Sequence, residues 1–145
     1  GSPTLDPRLA LNELIAASSE DERSLLLALL AAAGPTPIEL LALALGRPYV
    51  VVDVSAAALV DRGLLRWTRT GGRACVAFYH DAVRTALEGG FGEEGLRPLH
   101  TRLAQAFLGP NGSKEQAVRH LLAAGQSSAA ASLAIEAAHD ALSAK

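Results

Sequence analysis

Two adjacent polar residues, His80 and Asp81, stand where a predicted strand passes into a predicted helix. The first backbone N–H groups of a helix have no partner inside the helix, and with the helix dipole they favour an anion there. An imidazole beside them can donate a hydrogen bond to a phosphate oxygen, and its protonated form adds charge. His80 is therefore the leading candidate for a functional residue.

Asp81 is expected to be the helix cap rather than a catalytic residue, since a carboxylate suits the positive end of a helix. For His80 a purely structural role is the alternative. In that role the imidazole would be partly buried beside Tyr79 and bonded to the local backbone.

Three arginines, Arg66, Arg69 and Arg73, surround a predicted hairpin turn at Gly71-Gly72, with Trp67 between the first two. Basic side chains beside an aromatic ring can contact phosphates of a nucleotide or of DNA. The same residues would equally serve a contact with an acidic partner domain.

Other candidate sites are weaker. His100, His120 and His139 lie about twenty residues apart, and no histidine, cysteine or carboxylate pair has metal-ligand spacing, so no metal site is predicted. The sequence contains no Walker-type phosphate loop and no Gly-x-Ser-x-Gly elbow. We predict no catalytic residue and no ATP hydrolysis by this chain alone.

The elements that must position His80 follow from caps and breakers. Serine and acidic residues at 18–22 start a long apolar helix, a second helix spans about 37–45, and a third closes at Gly63. The valines at 50–52 also suit a short strand, although a helix starting near 51 or 53 fits the residues after them better. A strand, the glycine turn, a second strand and a helix from Asp81 complete the order.

This order predicts a mainly α fold, a winged helix-turn-helix with a two-stranded β-wing followed by an antiparallel helical bundle. We divide the chain into an N-terminal linker helix at 1–17, a winged-helix domain at 18–90 and a C-terminal helical, TPR-like segment at 91–145. Gly1-Ser2 is typical of the residues that remain after cleavage of an expression tag.

The segment Phe78-Tyr79-His80-Asp81, with the amphipathic residues 82–87, resembles the hydrophobic-His-Asp signature of the winged-helix domain in STAND-type signalling ATPases, a class that includes the NACHT and NB-ARC families. The resemblance covers about residues 22–141, and Phe78-Tyr79 replaces the family's usual methionine. Residues 99–104 and 117–125 resemble the segments that lead into TPR-like arrays in bacterial members.

The resemblance implies that His80 contacts the β-phosphate of bound ADP and holds a closed, autoinhibited state in signalling or defence. It implies ADP or ATP as the ligand of the full-length parent ATPase only, with no cofactor held by this chain alone. The implied partners are an upstream nucleotide-binding domain, a downstream repeat domain of the same chain, and a homo-oligomer formed on activation.

Composition disfavours nucleic acid and membrane partners. The formal net charge is −2, and the longest apolar run is far shorter than the ~20 residues of a membrane span. The single Cys75 excludes an internal disulfide and is compatible with the reducing cytoplasm, where we expect the protein.

Two other function classes stay open. One is a winged-helix DNA-binding regulator that uses Arg66, Arg69 and Arg73, although the predicted third helix carries almost none of the residues that read base edges. The other is a nucleotide-independent protein interaction module, whose apolar faces at 25–45 would dock a partner chain.

Overall fold

The computed structural model describes residues 7–90, 92–109 and 112–143, which form a mainly helical chain with a small antiparallel sheet. Residues 1–6 of the predicted linker helix lie outside the described residues. The same holds in the predicted C-terminal segment for residues 91, 110–111 and 144–145. In chain order the elements are α1 (Pro7–Ala16), α2 (Glu20–Ala32), β1 (Thr36–Pro37), α3 (Ile38–Leu45), α4 (Tyr49–Asp61), β2 (Leu65–Thr70), β3 (Arg73–Phe78), α5 (Asp81–Glu88), α6 (Glu93–Phe107), α7 (Lys114–Ala123) and α8 (Ser127–Ser143).

Helix α2 lies at the centre of the fold. Ser19 accepts a hydrogen bond from the Glu22 amide, while the Glu22 carboxylate accepts one from the Ser19 amide, so a capping box starts the helix. Leu25, Leu26 and Leu29 are at most 1% exposed. The prediction of a central, buried helix after the serines is therefore confirmed.

Strands β2 and β3 form the predicted hairpin, with Leu65 opposite Phe78 at one end and Thr70 opposite Arg73 at the other. Gly71 and Gly72 have φ angles of 59° and 79° in the turn. Such positive angles cost other residues energy, which explains the two glycines.

The prediction of a two-stranded sheet was incomplete, because β1 adds a third strand. Thr36 pairs with Val76 and Pro37 with Cys75, so the sheet order is β1-β3-β2. Pro37 therefore ends a strand and precedes α3, whereas the sequence placed it in the first helical turn. A proline is tolerated on this edge strand because an edge residue can leave its amide position unpaired.

The valine run at 50–52 is helical, and α4 starts earlier than predicted. Pro48 occupies the N-cap position with extended backbone angles, and the helix begins at Tyr49. Val52, Ala56 and Leu59 point into the core at helical spacing. Burial of this face decides the helical state over the strand preference of the valines.

Two clusters of buried side chains hold the molecule together, and α2 and α3 contribute to both. One cluster lies between α2, α3, α4, α5 and the sheet. The other joins Ala31, Leu40, Leu103 and Phe107 to residues of α7 and α8. The segments predicted as separate domains, 18–90 and 91–145, thus pack on each other through α2, α3 and α6.

Within the described residues, no single helix has both the length and the apolar composition of a membrane span. Helices α3 and α4 pass both criteria only when they are taken together across a bend of 116°.

Candidate functional site

His80 lies between β3 and α5, at the N-cap position of the helix. The Tyr79 amide donates to the Leu64 carbonyl at 3.1 Å, which fixes the end of β3 against the turn after α4. The His80 carbonyl accepts a hydrogen bond from the Val83 amide at 3.0 Å. The backbone of His80 is extended, with φ and ψ of −139° and 152°. The backbone on both sides of His80 is therefore fixed.

The imidazole itself is exposed. It meets the edge of the Tyr79 ring with 4.6 Å between ring centroids, and Tyr79 is also exposed. Among the described residues, the His80 side chain makes no capping hydrogen bond to α5. The partly buried, backbone-bonded histidine of the structural alternative is not what this geometry shows, and the first amides of α5 lie beside an accessible imidazole.

Asp81 is not the helix cap, because it is the first residue of α5 and His80 precedes it at the cap position. The backbone is extended at His80 and helical from Asp81, so the cap lies one residue earlier than the sequence suggested. The exposed Asp81 is the acidic residue of the first turn, where it faces the positive end of the helix dipole.

Arg84 is a further cation near this site that the sequence analysis did not select. It follows His80 by four residues, one turn along α5, and its guanidinium carbon lies 5.9 Å from the centre of the Phe78 ring. Its Nε is buried and has no hydrogen-bond partner among the described residues. The spacing of four residues between His80 and Arg84 is the sequence feature that could have identified Arg84.

The amphipathic pattern of α5 explains how this short helix is held. Val83 and Leu87, four residues apart, are 2% and 3% exposed and pack into the core beside Phe78. This attachment leaves the N-terminal end of the helix at the surface with His80 and Asp81.

The three hairpin arginines do not form one cluster. Side chains alternate across a strand, so Arg66 and Arg73 share one face of the hairpin and Arg69 lies on the other. Arg73 forms an ion pair with Glu39 of α3, and Arg69 donates to the Gly72 carbonyl at 3.2 Å. The three arginines therefore do not act as a single patch, and their contacts with a phosphate or a partner stay a prediction.

A histidine pair that the sequence spacing did not reveal joins α6 to α7. The Nδ1 atoms of His100 and His120 are 2.8 Å apart, and the His120 ring stacks on Phe107 with 5.4 Å between centroids. His120 is 2% exposed, and its Nε2 has no partner among the described residues. Burial, then the charges of His100 and Arg119, lower the pKa of His120 to about 4, and burial also lowers the pKa of His100.

A hydrogen bond between two neutral rings accounts for this pair. An Nδ1 to Nδ1 hydrogen bond requires one protonated and one bare nitrogen, so a neutral pair satisfies it. The exposed His139 lies on α8, and within the described ranges no three metal-ligating side chains come together.

The apolar faces at 25–45 are mostly unavailable to a partner, contrary to the interaction-module hypothesis in that form. Side chains of α2 fill the core, and in this range only Leu43, 64% exposed, is a large apolar residue at the surface. Exposed apolar side chains instead continue from Leu43 onto α4, at Tyr49, Val50 and Val54.

Comparisons with known protein families, with curated proteins and with solved structures found nothing that matches this chain.

Proposed function

We propose that this chain is the regulatory winged-helix module of a STAND-type signalling ATPase, in which His80 senses bound nucleotide. The observation that carries the proposal is the position of His80. It is exposed on a fixed backbone at the start of α5, and its imidazole is not used to cap the helix. A phosphate oxygen could accept a hydrogen bond from this ring and from the first amides of α5.

The order of elements from α2 to β3 supports the winged-helix part of the proposal. A helix, a short strand, two helices and a two-stranded hairpin follow one another, and the short strand pairs with the hairpin. In this arrangement α4 would take the place of the recognition helix of a DNA-binding relative. Its sequence contains no Arg, Lys, Asn or Gln, so base readout is disfavoured.

The energetics suit a switch. A charge-assisted hydrogen bond to a phosphate contributes about 1.5–3 kcal/mol. Since about 1.4 kcal/mol changes an equilibrium tenfold, one contact from His80 is enough to bias a closed state against an open one. Arg84, one turn further along α5, would add positive potential to the same side of the site.

In the proposed mechanism, ADP held by an upstream nucleotide-binding domain ties that domain to His80. Exchange for ATP would break the tie, release this module and permit oligomerisation. The other end of the molecule offers a contact for downstream repeats, because Ile135 and Leu142 of α8 are 62% and 71% exposed on one side of the helix.

The test is the nucleotide content of the natural full-length protein, purified, denatured and analysed by chromatography. We expect one ADP per chain in the wild type, and loss of ADP or its replacement by ATP in His80→Ala. His139→Ala is the matched control, because His139 is another exposed histidine on a different helix, and it should retain ADP.

Equal retention of ADP by wild type and His80→Ala would make His80 structural. A wild type without nucleotide, or a natural protein with no nucleotide-binding domain, would overturn the STAND proposal. The exposed residues of α3 and α4 would then favour the second candidate function, a protein interaction module.

A further inference from the structure

The side of α4 that faces away from the core is apolar. Val50 and Val54 are 64% and 63% exposed, and the smaller Ala57 is also exposed. Because these residues are four and then three positions apart, they form a stripe along one side of the helix. Tyr49 and Leu43 extend this surface at the N-terminal end of α4. We call these five residues the α4 face.

The α4 face has the apolar character of a candidate contact surface. Large apolar patches on monomers cover about 300–600 Å² and often have a function. Four large apolar side chains of the α4 face are exposed by half or more, which suits the apolar centre of a contact with another protein surface.

The two ends of α4 are unequally matched to its dipole. At the N-terminal end, Pro48 offers no side-chain acceptor to the first amides, and the first turn contains no acidic residue. At the C-terminal end, the exposed Asp61 lies where the dipole is negative, while Arg62 at the C-cap position supplies a cation that is paired with Glu22. The N-terminal end therefore lacks the negative charge that would stabilise it.

We propose that two copies of this chain associate through the α4 face, with the two α4 helices antiparallel about a two-fold axis beside Val54. Arg47 lies seven positions before Val54 and Asp61 seven positions after it. A two-fold axis at Val54 therefore brings Asp61 of one copy next to Arg47 and the uncapped N-terminus of α4 in the other.

This antiparallel register supplies an acidic residue to the uncapped N-terminus of α4 and a cation to Asp61, and it repeats by symmetry at the other end of the interface. Arg47 is available for such a contact, since its side chain is half exposed and its 3.5 Å ion pair with Asp21 lies at the surface. A parallel arrangement would instead bring the two Asp61 carboxylates together. The proposal is independent of nucleotide binding at His80.

The test is sedimentation equilibrium of the 145-residue chain over a series of concentrations, with circular dichroism to confirm that each variant is folded. We expect a reversible monomer–dimer equilibrium. Val54→Asp would place two carboxylates at the two-fold axis and should raise the dimer Kd at least tenfold. The matched control is Ile135→Asp, a change at an equally exposed apolar residue of α8, and it should leave the Kd unchanged.

Charge reversal tests the register. Arg47→Asp and Asp61→Arg should each raise the Kd several-fold, and the double variant should return it to near the wild-type value. A chain that stays monomeric up to millimolar concentration would overturn the proposal and leave the α4 face to a different protein. A dimer that tolerates Val54→Asp would place the interface elsewhere, and failure of the double variant to recover would exclude the antiparallel register.

Discussion

Histidines in this chain occupy opposite environments. His80 is exposed at the start of α5, where a ligand can reach it, whereas His120 is 2% exposed between His100 and Phe107. The first environment suits an exchangeable contact with phosphate. The second suits a contact that holds two helices together while both rings are neutral.

Acid should weaken the α6–α7 contact. The folded pKa of His120 is about 4, below the 6.5 of an unperturbed histidine, so the unfolded chain binds more protons between these values. The stability that neutral His120 permits is thus present above pH 6.5 and is lost as the pH falls towards 4. The total loss is about 3 kcal/mol, and urea unfolding at pH 7, 6 and 5 should show a little more than half of it.

The histidine pair has a specific signature in the pH dependence. His120→Phe can still stack on Phe107, and it should flatten the difference in unfolding free energy between pH 7 and pH 5. His139→Gln removes an exposed histidine and should leave that difference as in the wild type. If His120→Phe kept the full pH dependence, another group would be responsible.

At the scale of elements, the β2–β3 turn should be sensitive to side chains. The turn holds Gly72 at a φ of 79°, a left-handed conformation that costs a residue with a Cβ about 1–2 kcal/mol. Gly72→Ala should lower the free energy of unfolding by that amount. Gly34→Ala is the control, because a Cβ at Gly34 meets no atom within 4 Å and its φ is not positive. Equal effects of the two changes would contradict this account of the turn.

Caps and turn residues made most elements predictable from the sequence. Ser19 with Glu22 marks the start of α2, and Gly71-Gly72 marks the hairpin, since both signals are local. Strand β1 was missed because two residues, one of them proline, make no alternating pattern. It exists only through pairing with β3, a non-local contact.

The candidate site was only partly predictable from the sequence. The junction between β3 and α5 located His80, but the cap position moved by one residue from Asp81 to His80. The three arginines do not form one patch, because strand alternation places Arg69 on the other face of the hairpin from Arg66 and Arg73, and their contacts with a phosphate or a partner stay a prediction. The contact between His100 and His120 depends on how α6 packs on α7, which a spacing of twenty residues does not specify.

At the scale of the whole molecule, the shared core should make unfolding cooperative. Helices α2 and α3 contribute to both buried clusters, so neither cluster can be lost without exposing part of the other. Leu103 is fully buried in the cluster with α7 and α8, and Leu103→Ala should cost about 2–5 kcal/mol. We expect the same loss of unfolding free energy when unfolding is followed by circular dichroism and by the fluorescence of Trp67, which lies in β2, outside the cluster that contains Leu103.

The control for this prediction is Leu142→Ala, since Leu142 is 71% exposed. Its truncation should change the free energy of unfolding obtained from either signal by no more than about 0.5 kcal/mol. A Trp67 transition that stays at the wild-type position in Leu103→Ala would mean that the two parts unfold independently.

The central claim is that His80 recognises the phosphates of a nucleotide, and the most direct measurement is NMR of the natural full-length protein, freed of bound nucleotide and then titrated with ADP and with adenosine. We predict that ADP at millimolar concentration shifts the His80 imidazole and the amides of Asp81 and Ala82, with weaker effects of adenosine. His80→Ala should abolish the amide shifts and His139→Ala should preserve them. Absence of these shifts, or equal shifts with adenosine, would contradict the claim.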